Sequence, residues 1–395
     1  MTSAKRWLLP DGVEEILPVE AFKLETLRRE LLDLYQSWGY QLVIPPLIEF
    51  LDSLLVGSSH DQDLNTFKIT DQLSGRMMGI RADITPQVAR IDAHCMNHSG
   101  PVRLCYADTV LHTKPRGMMT SRVPFRVGAE LFGHAGVECD IELISLMQET
   151  LAKVGINEIY IVLGHVGIFR TLVQEAGLGF KVERELFLAV QRKAFDEIDD
   201  IVYANVKDEK YCEMLRRLTW LNGDESTLED AVSLFADAPD SVKAELEELI
   251  TIAENVKQRN PQINLHFDLC ELRGYEYHTG IVFAAYTPGY GRAVAKGGRY
   301  DDIGEAFGRA RPASGFDSDL KVLAKLSSKL ISRKLGVLAP NGTCPKLLAK
   351  IAELRASGET VIVNLEDSLE ASKLEELECD KQLLQVDELW TVTPL

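Results

Sequence analysis

Residues 106–133 read YADTVLHTKPRGMMTSRVPFRVGAELFG. Tyr106 to His112 alternate in character, and Phe125 to Phe132 alternate again. Period two of this kind predicts two strands. Between them, Thr113 to Arg122 carry Lys114, Pro115, Arg116, Gly117 and Arg122, which predicts a basic loop. A basic loop between two strands is a natural cradle for a nucleoside triphosphate. The first strand, however, ends in Leu111 and Thr113, which offer neither a cation nor a carboxylate.

Working outward, residues 18–38 carry Leu24, Leu27, Leu31, Leu34 and Trp38 at steps of three and four, which predicts an amphipathic helix stopped at Gly39. The run YQLVIPPLIEF (40–50) is β-rich but broken by Pro45 and Pro46. Proline cannot donate to a ladder, so an edge strand or a bend is predicted there. A hairpin is predicted over 67–85 with its turn near Asp71 to Gly75, followed by a helix with Pro86 in its first turn. Ile141 to Lys153 has helical spacing, and EIYIVLGHVGIF (158–169) reads as a strand entering a helix. From about 170 to 260 alternation gives way to Leu/Glu/Lys/Ala-rich helical segments, read as a helical insertion. Strands return over INLHFDLCELRGYEYHTGIVFAAYT (263–287), and 286–300 hold a hairpin turn and a Gly-Gly pair. After about 330 a helix, a glycine turn and a strand form a short α/β unit. Antiparallel hairpins, flanking helices and a helical insert give an α+β class with a mostly antiparallel sheet.

Composition bounds the answer. The chain has 395 residues, enough for two or three domains. No run of about 18 apolar residues occurs, so no membrane span is expected. Seven cysteines without a Cys-x-x-Cys predict reduced thiols and a cytoplasmic location. The net charge of −17 carries no overall footprint of a nucleic-acid binder.

Several constellations are candidates for chemistry. In IRADIT, Arg81, Asp83 and Thr85 are predicted to share one strand face, either as a polar ligand site or as a solvated face. In FRVGAELFG, Arg126 and Glu130 also share a face; Glu130 is either a buried, ligand-facing carboxylate or the partner of Arg126 in a salt bridge. ELRGYEYHTGIVF (271–283) alternates Arg273, Tyr275, Tyr277 and Thr279 with Gly274, Glu276, His278 and Gly280. An arginine there can grip a carboxylate through two parallel bonds, and His278 alone reads as a core histidine. The glycines of KGGRYDDIGEAFG match no phosphate-loop pattern and are read as close packing. His94, Cys95 and His98 are the nearest approach to metal spacing, but no second cluster accompanies them, so neither a zinc site nor any other cofactor is expected.

Taken in order, GIRADIT (79–85), the stretch at 106–133, LRGYEYHTGIVF (272–283) and GGRYDDIGEAFGRARPASGF (297–316) resemble the catalytic domain of histidyl-tRNA synthetases. The first helix followed by IPPLIE (44–49) resembles the dimer-forming first motif of class II synthetases. The resemblance covers roughly residues 5–325. It implies a class II synthetase-like domain over 1–325 that includes the insertion, followed by the C-terminal α/β unit at 330–395.

The departures from that family are specific. Where class II synthetases carry Phe-Arg-x-Glu, this chain has Val110, Leu111, His112 and Thr113. The arginine of that motif holds the α-phosphate of ATP and the amino-acid carboxylate; Leu111 does neither. Each such cation is commonly worth about 10²-fold in rate. The third motif ends in an arginine that stacks on adenine, and Val322 stands in its place, with Asp317 and Asp319 adding negative charge nearby. The C-terminal unit is also short for an anticodon-binding domain. This combination resembles the regulatory subunits of ATP phosphoribosyltransferase, a family of histidyl-tRNA synthetase paralogues without aminoacylation activity. They assemble with a short catalytic subunit in the first step of histidine biosynthesis and confer feedback inhibition by histidine.

The resemblance implies that the amino-acid half of the pocket persists. Asp83 falls where the synthetase binds the α-ammonium, and Thr85 matches directly. Glu130 matches the carboxylate that reads the imidazole, and Arg273 the arginine that holds the carboxylate. Tyr277 and His278 fall at a Tyr-Tyr pair, so His278 is a departure. Arg126 replaces a glutamine and is a candidate for the charge that Leu111 lacks. The implied partners are a short catalytic subunit, a second copy of the chain through the first motif, and free histidine, with no tRNA. An active histidyl-tRNA synthetase and a stand-alone histidine sensor are the alternatives.

Overall fold

The structure is a computed structural model and describes residues 7–56, 60–96, 98–115, 121–272, 274, 275, 277–366 and 376–395. The chain divides into two compact units, residues 1–329 and 330–395. The larger unit opens with α1 (Pro18–Ser37), β1 (Gln41–Leu42), β2 (Ile48–Phe50), α2 (Leu51–Leu54), α3 (His60–Asn65), β3 (Phe67–Thr70), β4 (Met77–Ile80) and α4 (Thr85–Ile91). A π-turn (Asp92–Met96) leads to β5 (Val102–Thr109), β6 (Phe125–Phe132), α5 (Glu138–Lys153) and β7 (Tyr160–His165). The helical stretch then runs through α6 (Val166–Glu175), α7 (Phe180–Gln191), α8 (Phe195–Asn205), α9 (Glu209–Leu218), β8 (Asn222–Gly223), α10 (Ser226–Leu234) and α11 (Asp240–Arg259). Next come β9 (Asn264–Asp268), β10 (Ile281–Thr287), β11 (Tyr290–Arg299), a 3-10 turn (Asp301–Phe307), β12 (Ala313–Asp319) and α12 (Leu320–Leu326).

Nine strands form one sheet in the order β1-β5-β6-β12-β11-β10-β7-β9-β8. In this sheet, among the described residues, β1–β5 and β7–β9 pair in parallel and the other neighbours are antiparallel, as the α+β reading requires. The stretch at 106–133 supplies the second half of β5 and all of β6, which pair from Val102↔Phe132 to Thr109↔Phe125. Helix α1 buries Leu27, Leu31 and Tyr35, and the Tyr35 ring meets Phe316 of β12 edge-on. Burying each such side chain contributes about 1.5–3 kcal/mol.

The two prolines at 45 and 46 end the edge strand β1 and turn the chain toward β2, which belongs to a separate sheet of order β2-β4-β3. Their carbonyls are satisfied from inside: Arg81 Nη1 donates to Pro45 O (2.7 Å) and Gln87 Nε2 to Pro46 O (2.8 Å). The turn between β3 and β4 is built by Asp71, whose carboxylate accepts from the amides of Leu73 and Ser74, and by Gly75 at φ +70°.

Two local expectations are corrected. Residues 81–85 are not a strand: β4 stops at Ile80, and Thr85 is already the first residue of α4. Arg81, Asp83 and Thr85 therefore share no strand face. Arg81 is buried away from the others, paired with Asp108 (2.8 Å) and bonded to Thr109 O (2.9 Å). Nor do the described residues of 271–280 form a strand; they run as turns between β9 and β10, with Gly274 at φ +72°.

In the second unit, β13 (Gly336–Ala339) pairs in parallel with β14 (Val361–Val363) and β15 (Cys379–Val386), and β16 (Leu389–Pro394) closes a four-stranded sheet in antiparallel fashion. Helix α13 (Pro345–Ala356) covers it by burying Leu347 and Ile351 against Val337, Ala339, Val361 and Leu383.

Candidate ligand pocket

A cavity of about 240 Å³ opens over the middle strands of the large sheet. Its floor comes from Glu130 of β6, Gly315 to Asp317 of β12, Lys296 and Gly297 of β11, and Val282 to Ala284 of β10. One wall carries Asp83 and Thr85; the opposite wall is the turn bearing Gly274, Tyr277 and His278, with Tyr300 behind. The volume is at the small end for ligand sites and suits a molecule of amino-acid size.

Glu130 is the chemical centre. It is fully buried, and Oε1 accepts from Thr85 Oγ1 (2.8 Å) and Tyr106 Oη (3.2 Å), while Tyr300 Oη donates to Oε2. Loss of water pushes its carboxyl up to about 8, because the hydrogen bonds from Tyr300 and Thr85 offset only part of the burial cost and Asp83 and Asp317 add repulsion. The carboxyl fits because Gly315, its cross-strand partner, has no side chain: a Cβ there would lie 1.5 Å from Oε2. Tyr277 stacks on Tyr300 (centroids 5.0 Å, interplanar 24°), and its hydroxyl is buried without a hydrogen-bond partner among the described residues. An orphaned buried hydroxyl costs about 1–3 kcal/mol, so this atom calls for a polar ligand group.

Asp83 lines the same cavity, with Oδ1 accepting from the amides of Ile84 (2.6 Å) and Thr85 (3.3 Å) at the start of α4. The His278 ring is accommodated by two glycines: a Cβ on Gly298 would come 2.7 Å from its Cδ2, and one on Gly274 2.5 Å from its Nδ1. His278 is thus a pocket wall and not merely a core histidine.

Arg126 is placed differently from the expectation. It does not pair with Glu130; its Nη1 lies 3.2 Å from Asp317, and both are largely buried. Burial works against the guanidinium charge, but Asp317, Asp319 and Asp83 outweigh it and hold it protonated. Arg126 lines an adjoining cavity of about 170 Å³ with His112, Ser121, Arg292, Lys296, Asp317, Asp319 and Val322. Asp319 also caps α12 through Lys321 N (3.1 Å) and accepts from Phe125 N (3.3 Å). Where the resemblance puts a nucleotide, the walls hold Asp317, Asp319 and Val322 beside Arg126, Arg292 and Lys296.

The structure therefore brings together Asp83, Thr85, Glu130, Tyr277 and His278, sets Arg126 next door, and Arg273 lies outside the described residues. Sequence reasoning missed Tyr300, Glu271 and Lys296 as pocket groups and Tyr106 as a hydrogen-bond partner of Glu130, and gave Asp317 to the nucleotide side alone although it lines both cavities. Asp317 stands two residues after Gly315 on β12, so the period-two rule was the available signal. His94 and Cys95 are exposed on the π-turn, and among the described residues no three His, Cys, Asp or Glu side chains could share a metal ion. No helix among the described residues is long and apolar enough to cross a membrane.

Comparison with known proteins places this geometry in a family. A histidyl-tRNA synthetase family profile matches residues 12–323, and that of the ATP phosphoribosyltransferase subunit HisZ C-terminal domain matches residues 333–393. The ATP phosphoribosyltransferase regulatory subunits of Stutzerimonas stutzeri and Chromohalobacter salexigens are each 52% identical to this chain, with both chains covered in full. Among solved structures, an ATP phosphoribosyltransferase regulatory subunit/histidyl-tRNA synthetase from Bacillus halodurans superposes with a TM-score of 0.82 over 94% of this chain and 96% of that one, at 24% identity. Histidyl-tRNA synthetase from Nostoc gives 0.78 at 18% identity, covering 96% of this chain and 91% of that one. At those identities the superpositions speak for the fold. The full-length relatives and the two profiles say more: this chain belongs to the family of ATP phosphoribosyltransferase regulatory subunits, built on the class II histidyl-tRNA synthetase fold.

Proposed function

We propose that this chain is the non-catalytic partner of a short ATP phosphoribosyltransferase catalytic subunit, which it activates, and that free histidine bound in the Glu130 pocket reverses that activation. The observation that carries the reading is the contrast between the two adjoining cavities. The first keeps a carboxylate at the position for an ammonium (Asp83), a buried carboxyl (Glu130) and an orphaned hydroxyl (Tyr277) for a ring. The second has Val322 where the resemblance puts the adenine-stacking arginine, and its cations Arg126, Arg292 and Lys296 are accompanied by Asp317 and Asp319, with Arg126 already paired to Asp317. Binding of the amino acid is supported without its activation by ATP. Arg273 is the proposed grip on the histidine carboxylate.

The insertion supports the absence of tRNA from this scheme. Residues 170–260 carry twenty acidic against twelve basic side chains, a surface that repels phosphate backbones. A homodimer is supported by the apolar side chains left exposed around α1 and β1–β2, among them Leu17, Val19, Ile44 and Leu47. The test is phosphoribosyl-ATP formation by the short catalytic subunit alone, with this chain, and with histidine added. The expected result is a rate enhancement that histidine reverses and that the Glu130→Ala variant confers without histidine sensitivity. No enhancement and no complex, together with histidine-dependent exchange of pyrophosphate into ATP, would replace this reading with an active synthetase.

A further inference from the structure

The turn that walls the pocket is gripped from behind by the helical insertion. Tyr275, between the pocket residues Gly274 and Tyr277, points away from the cavity side formed by its neighbours and is buried among α6 and α7. Its ring stacks on Phe187 of α7 (5.0 Å, 27°) and meets Phe169 of α6 edge-on (5.5 Å, 79°). Its hydroxyl donates to Glu183 Oε1 of α7 at 2.6 Å. Arg170 of α6 reaches the same turn: Nη2 donates to Tyr275 O (2.8 Å) and His278 O (3.0 Å), and the guanidinium lies 5.0 Å from the Tyr275 ring centre. The turn itself is closed by the amides of Tyr277 and His278, which both donate to Gly274 O at 2.7 Å.

These contacts are independent of one another in chemistry. One is a stack, one a charged hydrogen bond, and one a pair of bonds to backbone carbonyls. All three join the insertion to the residues that face a ligand, and none of them touches the ligand space. From this we infer that α6 and α7 are the positioning device of the pocket: Arg170, Glu183 and Phe187 set the placement of Tyr277 and His278. Ligand occupancy and the placement of α7 are therefore linked, and the linkage is reciprocal. The inference rests on histidine as the ligand for its affinity arm alone. It gives the effector a route out of the pocket into the insertion, a part of the chain that contributes no side chain to the cavity.

The test uses the full chain, with hydrogen exchange read by mass spectrometry and NMR, and histidine binding by calorimetry. The variants are Glu183→Gln with Phe187→Ala, Arg170→Met, and Tyr275→Phe, which keeps the stack and loses only the hydroxyl bond. In the free chain, the amides of Tyr277 and His278 are expected to exchange faster in the first two variants at an unchanged melting temperature, with Tyr275→Phe intermediate. Histidine is expected to slow exchange across α7 in the unmodified chain and to bind roughly tenfold more weakly to the variants, a coupling of ordinary size. Unchanged exchange at Tyr277 and His278 overturns the inference whatever the ligand. Bound histidine that leaves α7 exchange and variant affinities unchanged overturns it as well. Absence of histidine binding to the unmodified chain, with the turn still loosened in the variants, supports the positioning role and refutes the effector reading instead.

Discussion

Replacing Glu130 by Gln tests the electrostatics of the pocket directly. An exposed glutamate ionises near 4.5, whereas in place Glu130 holds its proton to about 8 because it is buried. Between those values the native chain binds a proton that the unfolded chain has released, so folding must take one up. Stability contributed at this position therefore falls as pH rises from 4.5 to 8 and levels off above. From pH 5.5 to 8.5 the loss is roughly 3 kcal/mol, at about 1.4 kcal/mol for each tenfold change. Glutamine has the same shape and no titration. The melting temperature of the unmodified chain should thus fall relative to Glu130→Gln across that interval, by about 3–5 °C for a chain of this size. Differential scanning fluorimetry at half-unit pH steps reads the difference. Histidine at about a hundred times its dissociation constant should add roughly 2.7 kcal/mol to the unmodified chain and much less to the variant. Parallel pH profiles for the two chains would refute the account of Glu130 as a buried, proton-holding carboxyl.

Three further outcomes follow from packing and charge. Asp317→Asn leaves the Arg126 guanidinium buried beside a neutral group and should cost about 3–5 kcal/mol; the double variant with Arg126→Gln should recover most of it in chemical denaturation. Gly315→Ala puts a methyl 1.5 Å from Glu130 Oε2 and 3.0 Å from the Ala129 carbonyl, so it should displace the carboxyl and weaken histidine binding at least about a hundredfold by calorimetry, in the range of an overpacked core site. Arg81→Met should lower stability while leaving histidine binding by calorimetry unchanged, because Arg81 is committed to Asp108 and to the Pro45 and Thr109 carbonyls.

What was legible in the sequence was local and periodic. Leu27 and Leu31 announced the buried face of α1, Asp71 and Gly75 the β-turn, and the alternation around Glu130 a strand with that carboxylate on a defined face. The illegible parts depend on residues far away in the chain. Whether Arg126 and Glu130 formed a salt bridge stayed open because nothing local reveals that β12, some 190 residues later, delivers Asp317 to one and Gly315 to the other. The alternation of Tyr275, Tyr277 and Thr279 imitated a strand. It arises instead from a turn in which one tyrosine serves the insertion and the next serves the pocket. Likewise IRADIT read as a strand face because a buried arginine satisfied by proline and threonine carbonyls has no sequence signature.

The large sheet ends in two-residue strands, β1 on one side and β8 on the other. A strand of that length presents too few free amides and carbonyls to template another chain, and the prolines after β1 remove two donors more. Growth of the sheet from copy to copy is thereby blocked at both margins. Association through this sheet is left to its faces and flanking helices, away from its strand margins.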